Sequence, residues 1–204
     1  MAKNKTYYTP AGPAAWIKVH EPDTTYKEGG EFSVDLFLSP EDAKETLAVY
    51  DKIIEDTVKE EGGKPTKDVQ YQLVSNIDQD KLDKLAKTGL EPDPSWYRLK
   101  FKVDHKVKPK KGDEFENRVA VLNGSNHPML FDPEDKLGNG SIIKVAYQPY
   151  GWCVSGKVGC KMRLKGIQVL DKKSYSSSGV DFDSVTNEED VDFDSVTNEE
   201  DIAL

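Results

Sequence analysis

A mainly β domain, an antiparallel barrel or sandwich with one long and one short helix, is the fold class the sequence predicts. Three observations predict it. Six segments alternate apolar and polar residues with period two. One stretch has helical spacing and caps at both ends. The last strand slips phase by one residue at a glycine. The first strand, residues 14–20, places Ala15, Ile17 and Val19 on one face and Trp16, Lys18 and His20 on the other. Residues 31–38 bury Phe32, Val34, Leu36 and Leu38. A helix follows over Pro40–Glu61. Ser39 is its N-cap, Pro40 suits the first turn and Asp42 completes a capping-box pattern. Ala43, Leu47, Tyr50, Ile54 and Val58 recur every three or four residues, and Gly62-Gly63 ends the run.

The short helix is expected over residues 79–87, stopping at Gly89. Residues 96–103 alternate Tyr97, Leu99, Phe101 and Val103 against Trp96, Arg98, Lys100 and Lys102. Val119 and Val121 mark a strand over 118–122. Ile143, Val145 and Tyr147 mark another over 141–148, with Lys144 opposite. The last strand, 158–170, turns Val158, Cys160, Met162 and Leu164 inward and Lys161, Arg163 and Lys165 outward. Its apolar phase resumes at Ile167 and Val169, so a β-bulge is expected at Gly166. Residues 104–117 and 123–140 read as loops, Gly138-Asn139-Gly140 as a hairpin turn and Asp132-Pro133-Glu134-Asp135 as a plain turn. Proline in Tyr147-Gln148-Pro149-Tyr150-Gly151-Trp152 reads as the end of a strand or a turn displaying Tyr150 and Trp152. An oligonucleotide-binding (OB) barrel belongs to this class, but the long helix comes early for one. Pattern alone leaves the topology open.

Composition divides the chain in two. The formal net charge is −9 over 204 residues. Ten acids and no base fall in residues 179–204, which leaves 28 bases against 27 acids before them. A near-neutral body thus carries an acidic tail, which repeats VDFDSVTNEED at 180–190 and 191–201. The unit is too short and too acidic to bury a face. Serines in residues 174–179 read as a flexible linker. The expected domains are therefore residues 1–173 and a tail over 174–204. No window approaches the roughly 18 apolar residues of a membrane span, and the N-terminus lacks the apolar core of a secretory signal. Two cysteines, Cys153 and Cys160, exclude a disulfide scaffold and read as core thiols in a reducing compartment.

Catalysis is not expected. G-x-x-x-x-G-K-[ST], G-x-S-x-G and H-E-x-x-H are all missing. His20, His105 and His127 are far apart in the chain, and the acidic run at 132–135 lacks calcium-loop spacing. Neither a cofactor nor a metal is expected. A basic strand face is more informative. Arg98, Lys100 and Lys102, then Lys144, then Lys161, Arg163 and Lys165 all stand opposite core residues, and Trp16 with Lys18 extends the pattern. Cations neutralise phosphates and flat rings stack on unpaired bases, which suits single-stranded nucleic acid. A solvated outer face is the plainer alternative. Tyr150 and Trp152 would stack on bases if exposed, or plug a barrel end if buried.

Residues 138–171, GNGSIIKVAYQPYGWCVSGKVGCKMRLKGIQVLD, resemble the single-stranded DNA-binding proteins of short-tailed coliphage-type phages. A glycine-rich turn, a basic strand, a Y-x-P-Y-x-W corner and an amphipathic strand follow in that family's order. AWIKVHEPD, FSVDLFL and the acidic tail extend the resemblance. The resemblance implies an OB barrel that binds single-stranded DNA without catalysis, in phage replication, recombination and repair in the host cytoplasm. It also implies a homodimer, with Tyr147, Tyr150 and Trp152 in an aromatic corner, Lys144 on the strand before it and Lys3 in a basic N-terminus.

The tail would contact the phage DNA polymerase and helicase-primase and compete with DNA. Its acids are Asp181, Asp183, Glu188, Glu189, Asp190, Asp192, Asp194, Glu199, Glu200 and Asp201, with Phe182, Phe193 and Leu204 as apolar anchors. Tails of this family commonly end in an aromatic residue, whereas this one ends Ile202-Ala203-Leu204. Two rival readings remain: a protein-interaction barrel whose tail mimics DNA or recruits a partner, and a metal-dependent nuclease.

Overall fold

The computed structural model describes residues 5–66, 70–109, 112–129 and 136–174. Lys3, the acidic run at 132–135 and the tail beyond Ser174 lie outside them. The strands are β1 (Tyr7–Tyr8), β2 (Gly12–Asp23), β3 (Glu31–Leu38), β4 (Lys64–Pro65), β5 (Tyr71–Leu73), β6 (Tyr97–Asp104), β7 (Lys106–Val107), β8 (Phe115–Glu116), β9 (Ala120–Asn123), β10 (Ile142–Val154) and β11 (Lys157–Asp171). The helices are α1 (Pro40–Glu61) and α2 (Gln79–Ala86).

Five long strands close into a ring in the order β2-β3-β6-β11-β10 and back to β2. Antiparallel pairs make most of it. β6 and β11 meet in parallel at Lys102 and Arg163, and β10 returns to β2 at Ile142–Pro13 and Ile143–Gly12. The alternation read from the sequence explains the filling. Val34, Leu36, Leu99, Phe101, Ile143, Val145, Met162 and Leu164 are all buried inside one core. Between Ala146 and Tyr147 the β10–β11 register shifts, because Ala146 faces Gly166 while Tyr147 faces Leu164. Lys165 is the extra residue, so the bulge lies where the apolar phase slips.

Helix α1 packs on β10, β11 and β3. Ser39 caps it, its Oγ accepting from the Asp42 backbone N–H at 3.2 Å. Ala43 and Tyr50 are buried as the spacing predicts, but Thr46 and Thr57 share the buried face. Thr57 is satisfied by donating to the Ile53 carbonyl at 2.7 Å. Its position makes Gly151 necessary, since a Cβ there would overlap the Thr57 hydroxyl. A second, smaller core lies outside the ring, where Ala15 and Phe37 meet Val74, Ile77, Leu85 and Leu90 of the α2 region.

Four local expectations are corrected. Alternation fails in β2, where Ala14 enters the main core and Ala15 the second one. Trp16 adopts φ 48°, a left-handed conformation rare for a bulky residue, and one extra residue lies between Ala15 and Lys18 relative to β3. Its backbone N–H donates to Asn139 Oδ1 at 2.9 Å, so Gly138-Asn139-Gly140 is a turn clasping β2 and not a hairpin between strands. Pro149 does not end β10, which runs on to Val154 and turns at Ser155-Gly156. β1 pairs with β10 only at Ala146 and Tyr147, so Pro149 faces an open edge where no N–H is required. Residues 104–117 are not wholly loop, because β7 and β8 form a short hairpin there.

Candidate nucleic-acid interface

The outer face of the β10–β11 ribbon is built by register. Gln148 stands opposite Arg163, Tyr150 opposite Lys161 and Trp152 opposite Gly159, so their side chains share a face. Lys102 joins them from β6, and the β7–β8 hairpin supplies Phe115 across from the ribbon. Together they line a groove of about 560 Å³. Tyr150 is 48% exposed and Phe115 50%. Trp152 is partly buried, its indole lying on the backbone of Gly159, where a Cβ would collide with the ring. Arg163 places its guanidinium 4.2 Å from the Tyr150 ring centroid.

Among the described residues, Lys161, Arg163 and Lys165 have no carboxylate partner, so their charge faces the groove uncompensated. The rim is not purely basic, contrary to the sequence pattern. Glu31 pairs with Lys102 at 3.2 Å, and Asp104 lines the same side. β3 contributes Glu31, and β6 follows Lys102 with Asp104 at its end, so of these strands only β11 gives the groove bases alone.

Other expected site residues go elsewhere. Tyr147 is 1% exposed, packed in the core against the tilted rings of Tyr7 at 5.8 Å and Phe101 at 5.2 Å between centroids. Burial pushes its hydroxyl up to about 12. It is therefore a core ring and cannot meet a DNA base. Arg98 points at Asp35, its Nε donating to Oδ2 at 2.6 Å, and also covers Trp16 at 4.8 Å. Lys100 stands opposite Asp35 in the β3–β6 register. Arg98 is thus a structural cation and not a free one. Trp16 packs against Phe37 and, with Lys18, lines a second groove that also contains Lys136, Glu21 and Asp23. Lys144 is exposed in a third groove beside Tyr8. The single expected face is therefore three patches, and Lys3 and the tail residues lie outside the described chain.

Phe115 is the residue the sequence pattern missed. Its two-residue strand is too short for period-two alternation to register, and the only signal was an aromatic inside the charged run 108–117. Of the two cysteines, Cys160 is buried at 2%, and desolvation pushes its thiol up to about 12. Cys153 is only partly buried, which corrects its reading as a core thiol. Iodoacetamide at pH 8 should accordingly alkylate Cys153 in the native protein and leave Cys160 intact, as read by peptide mass spectrometry. Modification of Cys160 under native conditions would contradict this packing. Among the described residues, no group of three or more His, Cys, Asp or Glu could hold a metal ion. No helix there is long and apolar enough to cross a membrane.

No protein-family model matches the chain, and no curated protein does. Solved structures do share its fold. The crystal structure of gp2.5, a single-stranded DNA-binding protein encoded by bacteriophage T7, is 18% identical with a TM-score of 0.56, over 88% of this chain and 98% of that one. The C-terminally truncated single-stranded DNA-binding protein from bacteriophage Enc34 is 12% identical with a TM-score of 0.58, over 83% and 88% of the two chains. The Enc34 protein in complex with single-stranded DNA matches at 12% identity and a TM-score of 0.58, over 84% and 89%. At these identities the likeness is one of fold.

Proposed function

We propose that the protein binds single-stranded DNA, without catalysis, in the groove between the β10–β11 ribbon and the β7–β8 hairpin. One observation carries the reading. Tyr150, Trp152 and Phe115 present rings in the same groove as Lys161, Arg163 and Lys165, which have no carboxylate partner among the described residues. Rings stack on any base and cations neutralise phosphates, so binding holds unwound strands with little regard to sequence. The fold common to the T7 and Enc34 single-stranded DNA-binding proteins supports this, and so does the resemblance of residues 138–171. The role is one in phage DNA replication, recombination and repair in the host cytoplasm, with the protein acting as a homodimer. The acidic tail recruits the DNA polymerase and the helicase-primase, and it competes with DNA for the cations of the body.

Titration of oligo-dT at several salt concentrations tests the reading. Three or four phosphate contacts, each adding about 0.7, give a log–log salt slope of roughly −2 to −3. Truncation after Ser178 should tighten binding, because it removes the ten acids of the tail and leaves a body of net +1. No binding at low salt, even after truncation, would defeat the proposal and favour a protein-interaction barrel.

A further inference from the structure

The groove just described stops at Lys165, but Lys165 also lines the third groove, on the far side of the bulge. The two lie on one face of the β10–β11 ribbon. Beyond the bulge, Ala146 faces Gly166 and Lys144 faces Gln168. β1 widens the ribbon on one side, with Tyr8 opposite Ala146, and β9 on the other, with Ala120 opposite Gly166. The result is a four-stranded platform whose outer groove encloses about 310 Å³. Tyr8 is 74% exposed at its edge, more than either Phe115 or Tyr150 in the main groove.

Charge decides how this platform is used. Among the described residues no Asp or Glu lines it, while Lys144 and Lys165 do. The groove around Trp16 is the other way a strand could leave, but Glu21 and Asp23 line it. Glu21 pairs with Lys136 at 3.4 Å, and the Thr25 side chain and backbone N–H hold the Asp23 carboxyl below its ordinary value, so it stays ionised. A polyanion leaving the main groove meets carboxylates in that direction and, among the described residues, none in the lining of the platform.

We propose that the bound strand runs lengthwise along the β10–β11 ribbon, passes over Lys165 and continues onto the platform, where Tyr8 stacks a base and Lys144 meets a phosphate. This rests on the single-stranded DNA reading above and adds the path and the length of the site. From Gln148 to Trp152 the main groove spans about 14 Å, and from Lys144 to Trp152 the whole track spans about 27 Å, at roughly 3.4 Å per residue. At about 3.4 Å per stacked nucleotide, those lengths hold some four and eight nucleotides. Gln168 does not read bases on this platform through its amide N–H groups, because Nε2 already donates to the Gly124 carbonyl and to Asn126 Oδ1. Contact there is therefore tolerant of sequence.

An oligo-dT length series on the full chain tests the path. Wild-type protein should bind dT8 at least tenfold more tightly than dT4. Tyr8→Ala with Lys144→Ala should leave dT4 affinity unchanged and abolish that gain, whereas Tyr8→Phe should keep it. Both side chains are exposed, so an unchanged melting temperature serves as the control. Equal losses on dT4 and dT8, or no loss on either, would overturn the path. So would loss of the gain in Trp16→Ala with Lys18→Ala instead. Failure of wild-type protein to bind any length would strike at the parent reading and is separable from these outcomes.

Discussion

Arg98→Ala should destabilise the protein by about 3–5 kcal/mol, the range for stripping one partner from a buried ion pair. Asp35 is 2% exposed, and both Nε and a terminal nitrogen of Arg98 lie 2.6 Å from its Oδ2. Burial pushes the Asp35 carboxyl up, while Arg98 and then Lys100 act to bring it down. Because the folded state holds this proton more tightly than the unfolded chain, Asp35 costs stability as pH rises past the ordinary carboxylate range toward its folded value. Removing Arg98 enlarges that cost, so the variant should lose most at pH 7 and least in acid, where the carboxyl is protonated in both states. For a chain of this size the loss corresponds to roughly 6–20 °C in melting temperature. Asp35→Leu combined with Arg98→Met should recover most of it, since no buried charge is then unpaired. Retention of the melting temperature with a lower salt slope for DNA would instead make Arg98 a phosphate contact.

Arg98 also shows where reading the sequence succeeds and where it stops. Alternation correctly turned its side chain away from the main core. It could not show that Asp35, on a neighbouring strand, would be buried beside it, nor that the α2 region would roof that part of the sheet with Val74, Ile77 and Leu85. Period-two patterns report which face of a strand is apolar, not what covers the other face. Strand and helix existence was legible because each of those segments satisfies propensity and pattern at once, as at Ser39–Asp42 and at the Gly166 bulge. Trp16 was not legible, because the left-handed turn that rotates it is imposed by Asn139, 123 residues away. Pro149 misled for a related reason. Proline excludes a central position, but whether β10 is central at that residue depends on where β1 ends. Tyr147, Tyr150 and Trp152 sit in one motif, and only the register separates the core ring from the two that face the groove.

That separation carries the largest expected effect on binding. Tyr150→Ala and Trp152→Ala should each weaken oligo-dT binding by about 1–3 kcal/mol, the range for loss of a stacked ring, with the fold retained. Neither ring belongs to the buried core, which Tyr147 does. Tyr147→Ala should therefore behave oppositely and cost about 3–5 kcal/mol of stability, as buried aromatic truncations do. Arg163 refines the test. Its guanidinium lies on the Tyr150 ring, so ring and cation act as one stacked unit. Tyr150→Ala and Arg163→Ala should consequently be non-additive, the double variant losing less than the sum of the single losses. Lys161→Ala, whose side chain has neither a stacked ring nor a carboxylate partner among the described residues, should add to Tyr150→Ala without coupling and lower the salt slope by about 0.7. Urea melts of each variant keep folding and binding apart. Unchanged affinity in Tyr150→Ala and Trp152→Ala, with intact melts, would place the DNA on another face of the ring.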